Sequence, residues 1–210
     1  MKRRIGILLT GCGAYDGSDA HEAVLSILAV QRAGHEPVPL ALEADQFHTV
    51  DHTTAQEVEA VQPRNQLVES ARLVRGKIYS LKEISPKLLE GIILVGGQGA
   101  VKNLLSGFGT MEQREPTPEL ADFLRAVHAA GGVIAAISLA EFVVSEIFGA
   151  WPDGKGCFDL APTEVLVDEK RRLLLTPGFT QASSTLELMQ GIEGICNELL
   201  TCIEKNAEDR

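Results

Sequence analysis

The run Gly131-Gly132-Val133-Ile134-Ala135-Ala136-Ile137-Ser138-Leu139-Ala140-Glu141 holds the residue best placed to do chemistry, Ser138. Val133 to Ile137 reads as a buried strand, and a helical pattern from Leu139 to Phe148 follows at once. A strand that turns sharply into a helix raises one side chain at the sheet's carboxyl edge. Free N–H groups and the positive dipole end of the new helix lie beside it. That geometry suits a nucleophile and an oxyanion. The same residues also fit an ordinary turn with Ser138 as helix N-cap, and on local pattern alone this is the commoner case.

A serine nucleophile needs a base, usually histidine. The five histidines, His21, His35, His48, His52 and His128, all precede Ser138. Ala136-Ile137-Ser138-Leu139-Ala140 also lacks the flanking glycines of a hydrolase turn. His21 adjoins Glu22 on the first helix, and neighbours there point about 100° apart, so the two are expected to face different ways. Glu22 is either a first-turn surface residue or a carboxyl leaning into the site. There a shared proton would hold a bound carbonyl or a nucleophile's partner.

Two glycine-rich turns are candidates for the same edge. Gly11-Cys12-Gly13-Ala14-Tyr15-Asp16 begins like a dinucleotide loop, but Asp16 stands where the third glycine belongs and would repel a pyrophosphate. Gly97-Gln98-Gly99 lacks its third glycine too, and the chain has no Gly-Lys-Ser/Thr phosphate loop. Cys12, Gly13, Asp16 and Gly99 remain candidates to line a pocket. Cys12 is a possible substitute thiol, though a small turn residue is the blander reading. The four cysteines, Cys12, Cys157, Cys196 and Cys202, lack zinc spacing, so neither a metal nor a cofactor is expected.

The elements that must position these residues alternate between strand and helix. Ile5–Thr10 reads as a strand, Ala20–Arg32 as a helix with Ser18 as N-cap, and Glu36–Leu42 as a Pro-interrupted strand near an edge. Residues 45–63 look polar and irregular. Gln66–Val74 is helical, and a short segment, Ile78–Leu81, follows. Ser85-Pro86 opens a small helix to Leu89. Gly91–Val95 is a buried strand, and Ala100–Leu105 starts a helix. Residues 107–118 form a loop, and Pro118–Ala130 is an amphipathic helix with Leu120, Phe123, Leu124 and Val127 inward. After the Ser138 turn and a loop over 149–162, Thr163–Val167 and Arg171–Thr176 form a strand pair. Ser183–Glu204 closes the chain as a long helix. This order predicts a mostly parallel sheet covered by helices on both faces, with ligands beyond its carboxyl ends.

The chain has 210 residues, of which 45% are hydrophobic and 23% charged, enough for one domain spanning 1–210. Its net charge is −10, with no continuous basic stretch, so nucleic acid is not an expected partner. No apolar run reaches membrane-spanning length, and no signal peptide is visible, so no membrane partner is expected. A cytoplasmic protein with reduced thiols is the expectation, or a mitochondrial one if a transit peptide has been removed.

Thr10-Gly-Cys-Gly-Ala-Tyr-Asp-Gly-Ser-Asp-Ala-His-Glu-Ala-Val24 resembles the opening of the isoprenoid biosynthesis proteins with an amidotransferase-like domain. Val95-Gly-Gly-Gln-Gly-Ala-Val-Lys-Asn-Leu104 and Val165-Leu-Val-Asp-Glu169 through Leu175-Thr-Pro177 are similar to the same family. It includes the enhancing-lycopene-biosynthesis protein and lies within the PfpI/ThiJ superfamily of class I glutamine-amidotransferase-like folds. The resemblance implies a flavodoxin-like three-layer sandwich and a homodimer. It implies a reactive cysteine where this chain has Ser138, a supporting Glu22, and backbone oxyanion donors at Gly97 and Leu139. Glyoxalase-like or deglycase-like activity on small aldehydes is the activity it implies. The chain departs twice: the thiol is replaced by a hydroxyl, and the stretch between Phe148 and Thr163 is short and holds no histidine. These departures favour binding of a small carbonyl- or carboxylate-bearing metabolite with little covalent catalysis. The alternatives are an active enzyme using Ser138 with Glu22 or Cys12, and a nucleotide- or effector-binding module.

Overall fold

Four apolar runs build the centre of the protein. In the computed structural model, which describes residues 2–109 and 114–208, each becomes a parallel strand closed on both faces. The elements in chain order are β1 (Arg4–Leu9), α1 (Ala20–Arg32), β2 (Glu36–Ala41), β3 (Thr49–Asp51), β4 (Gln56–Val58) and α2 (Gln66–Leu73). Then come β5 (Tyr79–Ser80), β6 (Gly91–Leu94), α3 (Gln98–Leu104), α4 (Pro118–Ala129), β7 (Val133–Ile137) and α5 (Ala140–Phe148). The last three are β8 (Leu166–Asp168), β9 (Leu173–Thr176) and α6 (Thr185–Glu208).

The main sheet runs β5-β2-β1-β6-β7-β9-β8, parallel except for β8. Alternate residues of each central strand feed two separate cores. Ile134 and Ala136 of β7 join Leu8, Leu94, Leu120, Leu124 and Val143 on the face covered by α3, α4 and α5. Val133, Ala135 and Ile137 join Ile5, Ile93, Val30 and Ile195 on the face covered by α1 and α6. This is the flavodoxin-like α/β sandwich expected from the sequence. The chain leaves β1 on both sides, to β2 and later to β6, so the order reverses there. Ligand crevices form at such a reversal, beyond the strand ends.

Several local readings are corrected. Asp19, not Ser18, caps α1: Asp19 Oδ1 accepts from the N–H groups of His21 (2.9 Å) and Glu22 (3.0 Å). Ser18 Oγ instead accepts from Thr10 N–H at 3.0 Å, tying the loop to β1. The stretch read as irregular contains the β3–β4 hairpin. β2 does lie near an edge, next to the two-residue β5, which pairs only with its last two residues, so Pro37 and Pro39 face no outer partner. Helix α3 begins at Gln98, with Gly97 (φ 96°) as its cap residue. The loop expected over 107–118 lies partly outside the described residues, at 110–113.

Candidate functional site

Four strand ends supply the site: those of β1, β6, β7 and β9. At the end of β7, Ser138 has φ 55°, a left-handed conformation rare for a residue with a side chain. Its N–H donates to Thr176 O (2.9 Å), and its C=O accepts from Glu141 N–H (3.1 Å). The neighbouring strand and the new helix therefore hold the strained turn from both sides. Conformations of this kind cost on the order of 1–3 kcal/mol and persist where the surroundings over-determine them. Ser138 does not cap α5. Leu139 is the cap residue, and no side chain bonds there. Ser138 is only 4% exposed, and its hydroxyl has no hydrogen-bond partner among the described residues.

Glu22 turns inward from the first turn of α1 and is 1% exposed. Gly96 N–H, past the end of β6, donates to its Oε2 at 2.9 Å. Phe179 N–H, past the end of β9, donates to its Oε1 at 3.0 Å. Burial pushes the Glu22 pKa up to about 8; the Asp19 charge adds to this, and the two N–H bonds oppose it. At neutral pH the carboxyl is therefore mostly protonated. Two glycines make the arrangement possible. A Cβ on Gly96 would lie 2.5 Å from Glu22 Oε2 and 2.6 Å from Ser138 Cβ, so both groups border one small volume. A Cβ on Gly178 (φ 55°) would overlap Glu22 Oε1.

Gly97 and Leu139, the residues after Gly96 and Ser138, carry the two backbone N–H groups nearest this volume in sequence. Neither has an acceptor among the described residues. Gly97 also admits no side chain, because a Cβ would fall 2.6 Å from Gly17 O.

No family model matches the chain. A human relative, glutamine amidotransferase-like class 1 domain-containing protein 3, mitochondrial, is 29% identical over 94% of this chain and 82% of its own length. The crystal structure of an isoprenoid biosynthesis protein with amidotransferase-like domain from Ehrlichia chaffeensis superposes with a TM-score of 0.86. It is 24% identical and covers 96% of this chain and 99% of its own. DJ-1beta from Drosophila melanogaster superposes with a TM-score of 0.54 at 16% identity, covering 100% and 97%. The chain has the fold seen in these DJ-1-like and amidotransferase-like structures. The similarity runs to the amidotransferase-like proteins that the sequence motifs pointed to.

The other candidates are arranged differently. Asp16 is fully buried and turns toward the hairpin, where its Oδ2 accepts from Val50 N–H at 2.9 Å. Arg64 Nη1 lies 3.9 Å from the same oxygen, and His52 Nε2 lies 3.9 Å from Oδ1. Gly13 packs beneath the His52 ring, 2.5 Å from where its Cβ would be, and gives its N–H to Ser18 O. Gly99 gives its N–H to Gly17 O and packs on Gly17. The first loop is thus closed by its own hydrogen bonds and offers no cradle of free N–H groups at Gly13 or Gly99. Cys12 is half-buried. Burial raises its thiol pKa, and the charges acting on it are Arg72, Glu69, Asp16 and Arg64, without Glu22.

His21 and Glu22 do point apart, yet both meet Phe179. Glu22 holds its N–H, and the exposed His21 ring meets its ring edge-on at 5.7 Å. None of the histidines bonds to Ser138 among the described residues. Gly96, Gly178 and Phe179 went unrecognised as site residues, although Pro177-Gly178 after the last strand marked a tight turn there. Among the described residues no cluster of His, Cys, Asp and Glu is arranged to hold a metal.

Proposed function

We propose that this protein binds a small carbonyl- or carboxylate-bearing metabolite at Ser138, with little or no covalent turnover. The observation that carries this reading is the strained Ser138 turn, its hydroxyl without a hydrogen-bond partner among the described residues, beside a carboxyl that keeps its proton near neutral pH. A protonated Glu22 donates to a ligand oxygen, the Gly97 and Leu139 N–H groups stabilise its charge, and Ser138 adds a third donor. With no histidine bonded to it among the described residues, the hydroxyl is a weak nucleophile.

An active glyoxalase-like enzyme is the second reading. The raised Glu22 pKa favours it, since such a group exchanges protons near pH 7. We take the working form to be a homodimer, because Val24 and Leu28 lie exposed on α1 and give a second copy an apolar face. The human relative's name supports a location in mitochondria, with the cytoplasm as the alternative. No helix among the described residues is long and apolar enough to cross a membrane.

Titration with glyoxylate and pyruvate, followed by NMR, tests the reading. Saturable binding is expected, weakened about 10-fold in Ser138→Ala, the loss of roughly one hydrogen bond to a charged group. Equal affinity in the variant, or a response to nucleotides alone, contradicts it.

A further inference from the structure

Glu141 lies in the first turn of α5, close after Ser138. It is 4% exposed, and no basic side chain is among the groups acting on its carboxyl. Taking an acid out of water without a cation is costly, so hydrogen bonds must offset the burial. They come from the segment between α5 and β8. Cys157 N–H donates to Glu141 Oε2 at 2.6 Å, and the Cys157 thiol meets the same carboxyl. A Cβ on Gly156 would fall 2.9 Å from Glu141 Oε1, so the glycine lets the backbone close on the carboxyl. An apolar residue at this position would fill the space but leave the Cys157 N–H unpaired.

The same short stretch is tied on its other side to the turn that follows β9. The Cys157 thiol meets the Thr180 side chain. Gln181 Nε2 donates to Phe158 O at 2.8 Å. Thr180 and Gln181 directly follow Phe179, whose N–H donates to Glu22 Oε1 at 3.0 Å. Glu141 N–H in turn donates to Ser138 O at 3.1 Å. A continuous path therefore runs from Ser138 through Glu141, Cys157 and Phe158 to Phe179 and Glu22. Cys157 is fully buried while Phe158 and Asp159 are exposed, so Glu141 grips the stretch at its inward-facing residue.

We propose that Glu141 is a positioning residue for the Ser138 site: it anchors a strap, residues 156–158, that keeps the Phe179 N–H on Glu22. The inference rests on the reading of Ser138 and Glu22 as the groups that meet a ligand. Of the two donors to Glu22, Gly96 N–H extends from β6 and has no bond to the strap among the described residues, whereas Phe179 N–H is held through it. The Phe179 bond opposes the rise in the Glu22 pKa, so its loss leaves the carboxyl holding its proton to higher pH.

Amide hydrogen exchange and the titration of the Glu22 carboxyl, both followed by NMR on the full chain, test this. In Glu141→Ala, Phe179 N–H is expected to exchange about 10-fold faster than in the wild type, with Gly96 N–H unchanged. Glu22 is expected to titrate at higher pH. Glu141→Gln keeps a carbonyl oxygen for Cys157 N–H and is expected to restore both values. Should Glu141→Ala fail to fold, Gln181→Ala cuts the second tie and is expected to speed exchange at Phe179 but not at Gly96. The proposal is overturned by unchanged Phe179 exchange in the variant that folds, by equal acceleration at Gly96 and Phe179, by a Glu22 titration that does not rise, or by a Glu141→Gln variant as fast as Glu141→Ala. A wild-type Glu22 that titrates in the ordinary carboxylate range contradicts the reading of the site instead, and the exchange comparison still decides the anchoring.

Discussion

Between pH 5 and pH 8, Glu22 alone is expected to cost the protein about 1.4 kcal/mol of stability per pH unit, roughly 4 kcal/mol in all. The folded pKa is about 8 against an ordinary value of 4.5. Within that window the native carboxyl keeps a proton that the unfolded chain has released, so rising pH favours unfolding. The contribution is fully present below pH 4.5 and lost as the pH passes 8. Glu22→Gln removes the titration. The variant also sets an amide N–H against Gly96 N–H or Phe179 N–H, a pH-independent loss of about 1–3 kcal/mol. Denaturant unfolding of both proteins at pH 5, 6, 7 and 8 checks this. The wild type's margin over the variant should shrink steadily with pH, and a constant margin would show that Glu22 is ionised in the fold. Other buried acids, such as Glu141, titrate in both proteins and cancel in the difference.

Ser138→Cys is expected to create the fastest-reacting thiol in the chain. A sulfur there would stand at the start of α5, beside the Leu139 N–H and a proton-bearing Glu22, all of which stabilise a thiolate. The competing thiols are poor nucleophiles. Burial pushes the Cys157 pKa up to about 12 and that of Cys196 up to about 11. Cys202 is also buried and raised, and Cys12 is raised and half-buried. Iodoacetamide at pH 7, read by peptide mass, should label position 138 in the variant about 10-fold faster than Cys12. Labelling no faster than at Cys12 would mean that the turn does not activate a nucleophile. That result would remove the reason for reading this turn as a nucleophile position at all.

What the sequence disclosed of this site depended on whether side chains or backbone did the work. β7 and α5 were readable because Val133–Ile137 is wholly apolar and the residues after Ser138 switch to helical spacing. α1 was readable to its last residue because its apolar face and Gly34 bound it. The hairpin at 49–58 was not, because its strands are three residues long and β4 is exposed throughout. With no buried face there is no alternation to detect. Ser18 and Asp19 are both good caps, and a tertiary bond from Thr10 to Ser18 decides between them. Asp16 looked like an obstacle to a phosphate, whereas it holds the backbone of Val50, 34 residues away. The partners of Glu22 are main-chain N–H groups at Gly96 and Phe179, and a backbone donor has no residue type to announce it.

Consumption of methylglyoxal by the wild type and by Ser138→Ala, at pH 7 and equal concentration, tests the central claim most directly. A serine hydroxyl with no histidine bonded to it among the described residues predicts equal rates in the two proteins, neither above the protein-free background. Turnover by the wild type that disappears in the variant would contradict it and establish the hydroxyl as a working nucleophile.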